Sequence, residues 1–233
     1  MLLKGLQKTT LLDFPGKVAC TVFTGGCNFR CPFCHNARLV TEPNAEERIT
    51  EEEFFSFLSK RRGVLDGVCV TGGEPLLQKD ILPFLARIRK MGFLIKLDTN
   101  GSRPDVLQQI IDTKLVDYIA MDLKNSKEKY ALTCGLDAYP DGIDESISLI
   151  MQSGIDYEFR TTVVRELHTA EDMVSMAKRI KGAPRYFLQG FIDSGNLIGS
   201  GCSAYSSDEM KALLAQVTKI IPTASLRGVD TNP

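Results

Sequence analysis

Six short runs rich in β-branched and aromatic residues recur along the chain, each separated from the next by a stretch with helical apolar spacing, and this alternation limits the possible folds. Val18 to Phe23, Val68 to Val70, Phe93 to Leu97, Val116 to Met121, Tyr157 to Val164 and Tyr186 to Leu188 are the predicted strands. Between them, Thr50 with Glu53 predicts a capping box ahead of Phe54, Phe57 and Leu58. Ile81, Phe84, Leu85 and Ile88 predict a helix stopped at Gly92, and Pro104 opens another carrying Val106, Leu107, Ile110 and Ile111. A further helix ends near Gly154, Thr169 starts one carrying Met173, Met176 and Ile180, and the last covers about 207–221 before Pro222. Parallel neighbours need crossover connections, so the pattern predicts an α/β protein: a partial (β/α)6 barrel first, a doubly wound sheet second. Both architectures place ligands at the carboxyl ends of the strands.

At 233 residues the chain is expected to form a single domain over 1–233. Its 28 basic and 29 acidic side chains nearly cancel, which gives no electrostatic case for nucleic acid or an anionic membrane as partner. Lys4, Gln7, Lys8 and Asp13 interrupt the apolar residues of the amino terminus, so it lacks the core of a secretory signal. No stretch approaches the ~20 apolar residues of a membrane span. Of seven cysteines, three crowd into TGGCNFRCPFCHN while Cys20, Cys69, Cys134 and Cys202 are scattered, a distribution that favours metal over a disulfide framework and fits the reducing cytoplasm. Cys20 and Cys69 fall in strands and are expected to be small core residues.

Cys27, Cys31 and Cys34 form CxxxCxxC in the loop, 24–36, that follows the first predicted strand. Thiolates are soft ligands for iron–sulfur clusters or zinc, and such spacing lets one loop wrap one metal centre. A structural zinc site would need a fourth ligand, and His35 directly follows Cys34, so ring and thiolate would converge poorly. An open iron needs no fourth protein ligand. Downstream, TGGEP, DTNG and MDLK end three successive strands. Singly they read as a tight turn, an Asn-Gly turn and a surface ion pair. Together, strands that all end in small or polar loops describe one ligand cavity.

With Phe33 ahead of the last cysteine, the loop resembles the signature of the radical S-adenosylmethionine (SAM) superfamily. That resemblance implies a [4Fe–4S] cluster on Cys27, Cys31 and Cys34, with SAM chelating the fourth iron. Nearly the whole chain resembles glycyl-radical-enzyme activating proteins, most of all activators of anaerobic ribonucleoside-triphosphate reductase, through KTTLLDFPGK, CHN, TGGEP, KLDTNG and YIAMDLK. By this resemblance Phe33 and His35 border the adenine, and Gly73 and Glu74 hold the methionine amino end with Gly72 beside them. Asp98 and Thr99 border the SAM pocket, Asp122 and Lys124 address the amino and carboxylate groups, and Arg160 faces the same cavity. Pyruvate formate-lyase activators carry a histidine near the end of the sixth strand. This chain reads YFLQGF there, which leaves Gln189 as the polar residue at that place.

The implied partners are a glycyl radical enzyme as protein substrate and flavodoxin or ferredoxin as electron donor. A radical SAM enzyme acting on a small molecule or nucleotide is the competing enzyme reading, and a noncatalytic zinc-binding interaction module the reading from another class. His35 and His168 are the two histidines, and His168 is expected in a surface loop.

Overall fold

The computed structural model describes residues 1–44 and 48–229. All six expected strands are present, as β2 (Ala19–Thr24), β3 (Gly67–Gly72), β4 (Leu94–Thr99), β5 (Tyr118–Asp122), β6 (Asp156–Val163) and β7 (Tyr186–Gly190). Two more flank them, β1 (Leu3–Thr10) and β8 (Ser225–Arg227), and strand order follows chain order from β1 to β8. Among the described residues there are eight α-helices: α1 (Ala37–Thr41), α2 (Glu51–Ser59), α3 (Ile81–Lys90), α4 (Pro104–Asp112), α5 (Tyr130–Cys134), α6 (Ile143–Gln152), α7 (Ala170–Arg179) and α8 (Ser207–Val217). The last helix stops at Val217, short of the 221 expected from sequence, and Ile221 is buried beyond it.

The chain divides into two compact units, 1–28 with 38–120 and 142–156, and 29–37 with 121–141 and 157–233. In the first, β2, β3 and β4 pair in parallel, and β1 lies antiparallel on β2 with Leu6 opposite Val22. The segment LKGLQKTT carries little strand propensity and takes its conformation from that pairing. Phe14, from the turn after β1, is buried with Ala19, Cys69 and Tyr118, its ring 6.1 Å from that of Tyr118. On α2 the Thr50 hydroxyl accepts from the Glu53 amide and the Glu53 carboxylate accepts from Thr50, the predicted capping box. The face so started buries Phe54 and Phe55, and both rings stand 5.3 Å from Phe84 on α3.

In the second unit β6, β7 and β8 pair in parallel. Only three residues long, β8 is held by Arg227, whose guanidinium donates to both oxygens of buried Glu158 at 2.9 and 3.2 Å and lies over the Phe187 ring. No helix among the described residues is long and apolar enough to cross a membrane.

The start of α7 concentrates polar contacts. Asp172 Oδ2 accepts from the Thr169 amide at 2.9 Å and from Lys129 Nζ at 2.6 Å, and Oδ1 accepts from Ser126 Oγ at 2.9 Å. Burial pushes this carboxyl up, but the hydrogen bonds from Lys129, Thr169 and Ser126 outweigh it and hold the group below its usual range. A group depressed on folding stabilises the native state above its unfolded value, about pH 3.9, and that contribution drains away as the pH falls towards the folded value. Asp172→Asn is therefore expected to lower unfolding free energy in urea by about 1–3 kcal/mol at pH 7. Its stability should also fall less steeply than wild type between pH 5 and 3, and parallel acid profiles would refute the assignment.

Candidate active site

In the first unit the loops that end β3 and β4 are tied together through one carboxylate. Glu74 is 1 % exposed, and its two oxygens accept from Thr99 Oγ1 at 2.8 Å, the Asn100 amide at 2.7 Å and the Leu76 amide at 3.1 Å. The Glu74 side chain is thus spent on bracing the DTNG loop. Two glycines bring TGGEP this close to the preceding loop. Gly72 has φ +117°, and a Cβ on Gly73 would stand 2.0 Å from the Gly26 carbonyl oxygen. The contact is sealed by backbone bonds from Gly73 N to Thr24 O at 2.9 Å and from Glu74 N to Gly26 O at 2.8 Å.

Asn100 extends the brace to the cysteine loop. Its Nδ2 donates to Cys27 Sγ at 3.7 Å and to Asn28 Oδ1 at 3.0 Å, while its Oδ1 accepts from the Ser102 amide at 2.9 Å. The Asn-Gly turn reading of this loop holds, with Gly101 at φ +75°, yet the asparagine also carries a contact to a predicted ligand that the sequence did not reveal. Asp98, one residue before Thr99, pairs with Lys96, a lysine only 2 % exposed on β4.

In the second unit Asp122, Lys124 and Arg160 form one charge cluster. Arg160 Nε donates to Asp122 Oδ1 at 2.9 Å and Lys124 Nζ to Oδ2 at 3.1 Å, so both carboxylate oxygens are engaged. Burial works against the charged form of Asp122, but Arg160 and then Lys124 hold the carboxyl well below its usual range. Burial likewise opposes charge on Lys124, and Asp122, followed by the sulfurs of Cys31 and Cys134, raises its ammonium above the ordinary lysine value. The pair is therefore a bridged triad and not a surface ion pair. Gln189 sits on β7 in register with Thr162 on one side and Arg227 on the other.

His168 departs from expectation: it is fully buried, not in a surface loop. Its Nδ1 accepts from the Val164 amide at 3.0 Å, which makes Nε2 the protonated nitrogen and donor to the Lys124 carbonyl at 2.8 Å. The ring also stands edge-on to Phe33 at 6.4 Å. Phe33 is 4 % exposed and packs inward, whereas His35 is exposed and lies 5.7 Å from the Phe191 ring.

None of the seven cysteines is in a disulfide. As the side chains stand, no group of three or more His, Cys, Asp or Glu residues among the described residues is placed to hold a metal ion. The fit to a cluster rests instead on donor chemistry and on what surrounds each sulfur. Cys27 receives the Asn100 amide, and Cys31 receives a hydrogen bond from Cys134 that, with help from Lys124, draws its thiol down to about 7 against the effect of burial. Burial pushes the Cys34 thiol up, with Lys124 acting against it. Hydrogen-bond donors and a cation turned on sulfur suit anionic thiolate ligands, so the loop fits an iron–sulfur centre. Off the motif, burial pushes Cys20 up to about 12 and Cys69 higher still, as inert core thiols require.

Residues 21–180 match the radical SAM superfamily. The chain is 35% identical over 195 residues to a Methanocaldococcus jannaschii protein named for glycyl-radical enzyme activation, covering 82% of this chain and 80% of that one. It is 26% identical to the pyruvate formate-lyase-activating enzyme of Clostridium pasteurianum, over 76% of this chain and 74% of that one. GTP 3′,8-cyclases match as well, that of Campylobacter lari at 30% over 76% of this chain and 57% of its own. Among solved structures, Streptococcus suis SuiB bound to SAM superposes with a TM-score of 0.65 at 17% identity, over 88% of this chain and 49% of that one. The chain belongs to the radical SAM superfamily and is an enzyme of that class, with the superfamily's α/β fold.

If the Glu74 carboxylate is the brace described, Glu74→Gln replaces one acceptor oxygen by a donor facing N–H or O–H groups. The expected loss is about 1–3 kcal/mol in urea unfolding, because buried donors are left unmatched. Unfolding indistinguishable from wild type would show that the brace is dispensable.

Proposed function

We propose that this chain is a glycyl-radical-enzyme activating enzyme that holds one [4Fe–4S] cluster on Cys27, Cys31 and Cys34 and binds SAM against it, the whole chain serving as one catalytic domain. Bound there, cluster and SAM would supply a 5′-deoxyadenosyl radical from reductive cleavage of SAM, for abstraction of a hydrogen from a glycine of the partner enzyme. The observation that carries the reading is the combination of three cysteines in CxxxCxxC, none in a disulfide, with 35% identity, along four-fifths of both chains, to a protein named for this activity. By the whole-chain resemblance the partner is anaerobic ribonucleoside-triphosphate reductase, and the electron donor is a flavodoxin or ferredoxin of the same reducing cytoplasm.

The chain's own residues bind and orient. The turn of Gly72, Gly73 and Glu74 would receive the methionine amino group, with the Glu74 carboxylate fixing that turn against the DTNG loop. Asp98 and Thr99 would border the cofactor from β4. Asp122 and Lys124 would address its amino and carboxylate groups, and Arg160, facing the same cavity, would fix Asp122 through their ion pair. His35, exposed beside Phe191, and Phe33 would flank the adenine, and Gln189 would stand where related activators carry histidine.

Anaerobic reconstitution should give a brown protein with about four irons per chain, and Cys31→Ala should lose both colour and iron. Reduced protein incubated with SAM and the anaerobic ribonucleotide reductase of the same organism should produce a glycyl radical doublet in electron paramagnetic resonance. No doublet with any glycyl radical enzyme of that organism, together with turnover of a nucleotide or other small substrate, would replace the activase reading by the small-molecule one. A colourless zinc protein without affinity for SAM would overturn both.

A further inference from the structure

Cys134 lies outside the CxxxCxxC loop by a hundred residues, yet the fold brings it to Cys31. It is the last residue of α5, fully buried, and its side chain hydrogen-bonds that of Cys31. The approach is fixed by backbone and by ring packing. Arg30 N donates to the Cys134 carbonyl at 2.7 Å, and a Cβ on Gly135 would meet the Arg30 carbonyl oxygen at 2.8 Å. One turn back on α5, the Tyr130 ring stands edge-on to Phe29 at 6.4 Å. The helix itself is pinned by Asn125, whose Nδ2 donates to Thr133 Oγ1 at 2.7 Å. The thiol is therefore held against the cysteine loop from several sides.

We propose that Cys134 is a positioning residue for the cluster: it donates its S–H to the sulfur of Cys31 when that sulfur ligates iron, and so raises the cluster's reduction potential without itself being a ligand. This rests on the cluster assignment made above. A hydrogen bond to a ligand sulfur stabilises the more negative, reduced cluster over the oxidised one, and hydrogen bonds to sulfur are among the protein's levers on potential. In an enzyme that must take up an electron before it acts on SAM, such a donor enlarges the reduced fraction at a given poise of the electron donor.

The test compares reconstituted wild type, Cys134→Val and Cys134→Ser in a mediated redox titration followed by the paramagnetic resonance of the reduced cluster. At the poise where wild type is half reduced, Cys134→Val should show a reduced-to-oxidised ratio about tenfold lower, equivalent to about 59 mV for one electron. Cys134→Ser keeps a donor and should stay close to wild type. Should valine prevent folding, Cys134→Ala, which only removes an atom, carries the same comparison, with thermal melting as the check. Titration of the valine or alanine variant alongside wild type would overturn the inference, as would loss of iron in it comparable to that of Cys31→Ala, which would make Cys134 a ligand. Wild type that assembles no four-iron cluster would instead remove the underlying assignment.

Discussion

The buried carboxylate of Glu74 is the contact on which the arrangement of the first unit depends. A carboxylate at 1 % exposure is costly unless its oxygens are satisfied, and here three donors from two segments satisfy them. Two of the three come from Thr99 and Asn100, so stabilising the charge and fixing the DTNG loop are the same event. Asn100 then reaches Cys27 and Asn28. One buried charge thereby orders the ends of β3 and β4 and the entry to the cysteine loop, and the glycines of TGGEP let that loop approach Gly26 closely enough for it to happen.

The second unit solves a similar problem with opposite means. Asp122 is engaged by two cations, Arg160 and Lys124, and the excess positive charge faces sulfur. Buried like-signed thiolates would repel one another and resist ionisation, and a neighbouring ammonium offsets that cost. His168 contributes without charge: burial holds its imidazole below the usual histidine value, and the neutral ring clamps the Lys124 carbonyl. Lys124 is in this way positioned through its backbone while its side chain is left to electrostatics.

Much of this was legible in the sequence, for a physical reason. Strands β2 to β7 are signalled by dense β-branched runs bounded by glycine and polar loops, and α2, α4 and α7 by capping residues and proline, because these signals are local. The elements that sequence missed owe their conformation to partners distant along the chain. Strand β1 forms on β2, β8 on the Arg227–Glu158 pair, and α5 through contacts to Asn125 and to the cysteine loop. Site residues divide the same way. CxxxCxxC, TGGEP and MDLK carry their chemistry in adjacent positions, whereas Asn100 looked like an ordinary turn residue, His168 like a surface one and Cys134 like a stray thiol. For Cys134 a usable signal existed in the glycine that follows it, since Gly135 adopts a left-handed cap that ends α5 against Arg30.

The cysteines show how one residue type is sorted by environment. Cys20 and Cys69 point into packed strand surroundings, and burial raises both thiols far from ionisation. Cys31 is about as buried as a core residue, and burial acts on it in the same direction, but a donor from Cys134 and the ammonium of Lys124 reverse the outcome. Depth alone therefore does not separate a structural thiol from a ligand. What separates them is whether the polar partners beside the sulfur outweigh its burial: the ammonium of Lys96 does not at Cys69, whereas Cys134 and Lys124 do at Cys31. Cys134 is fully buried like Cys20, but its neighbours are Cys31, Lys124 and the Arg30 backbone rather than strand side chains.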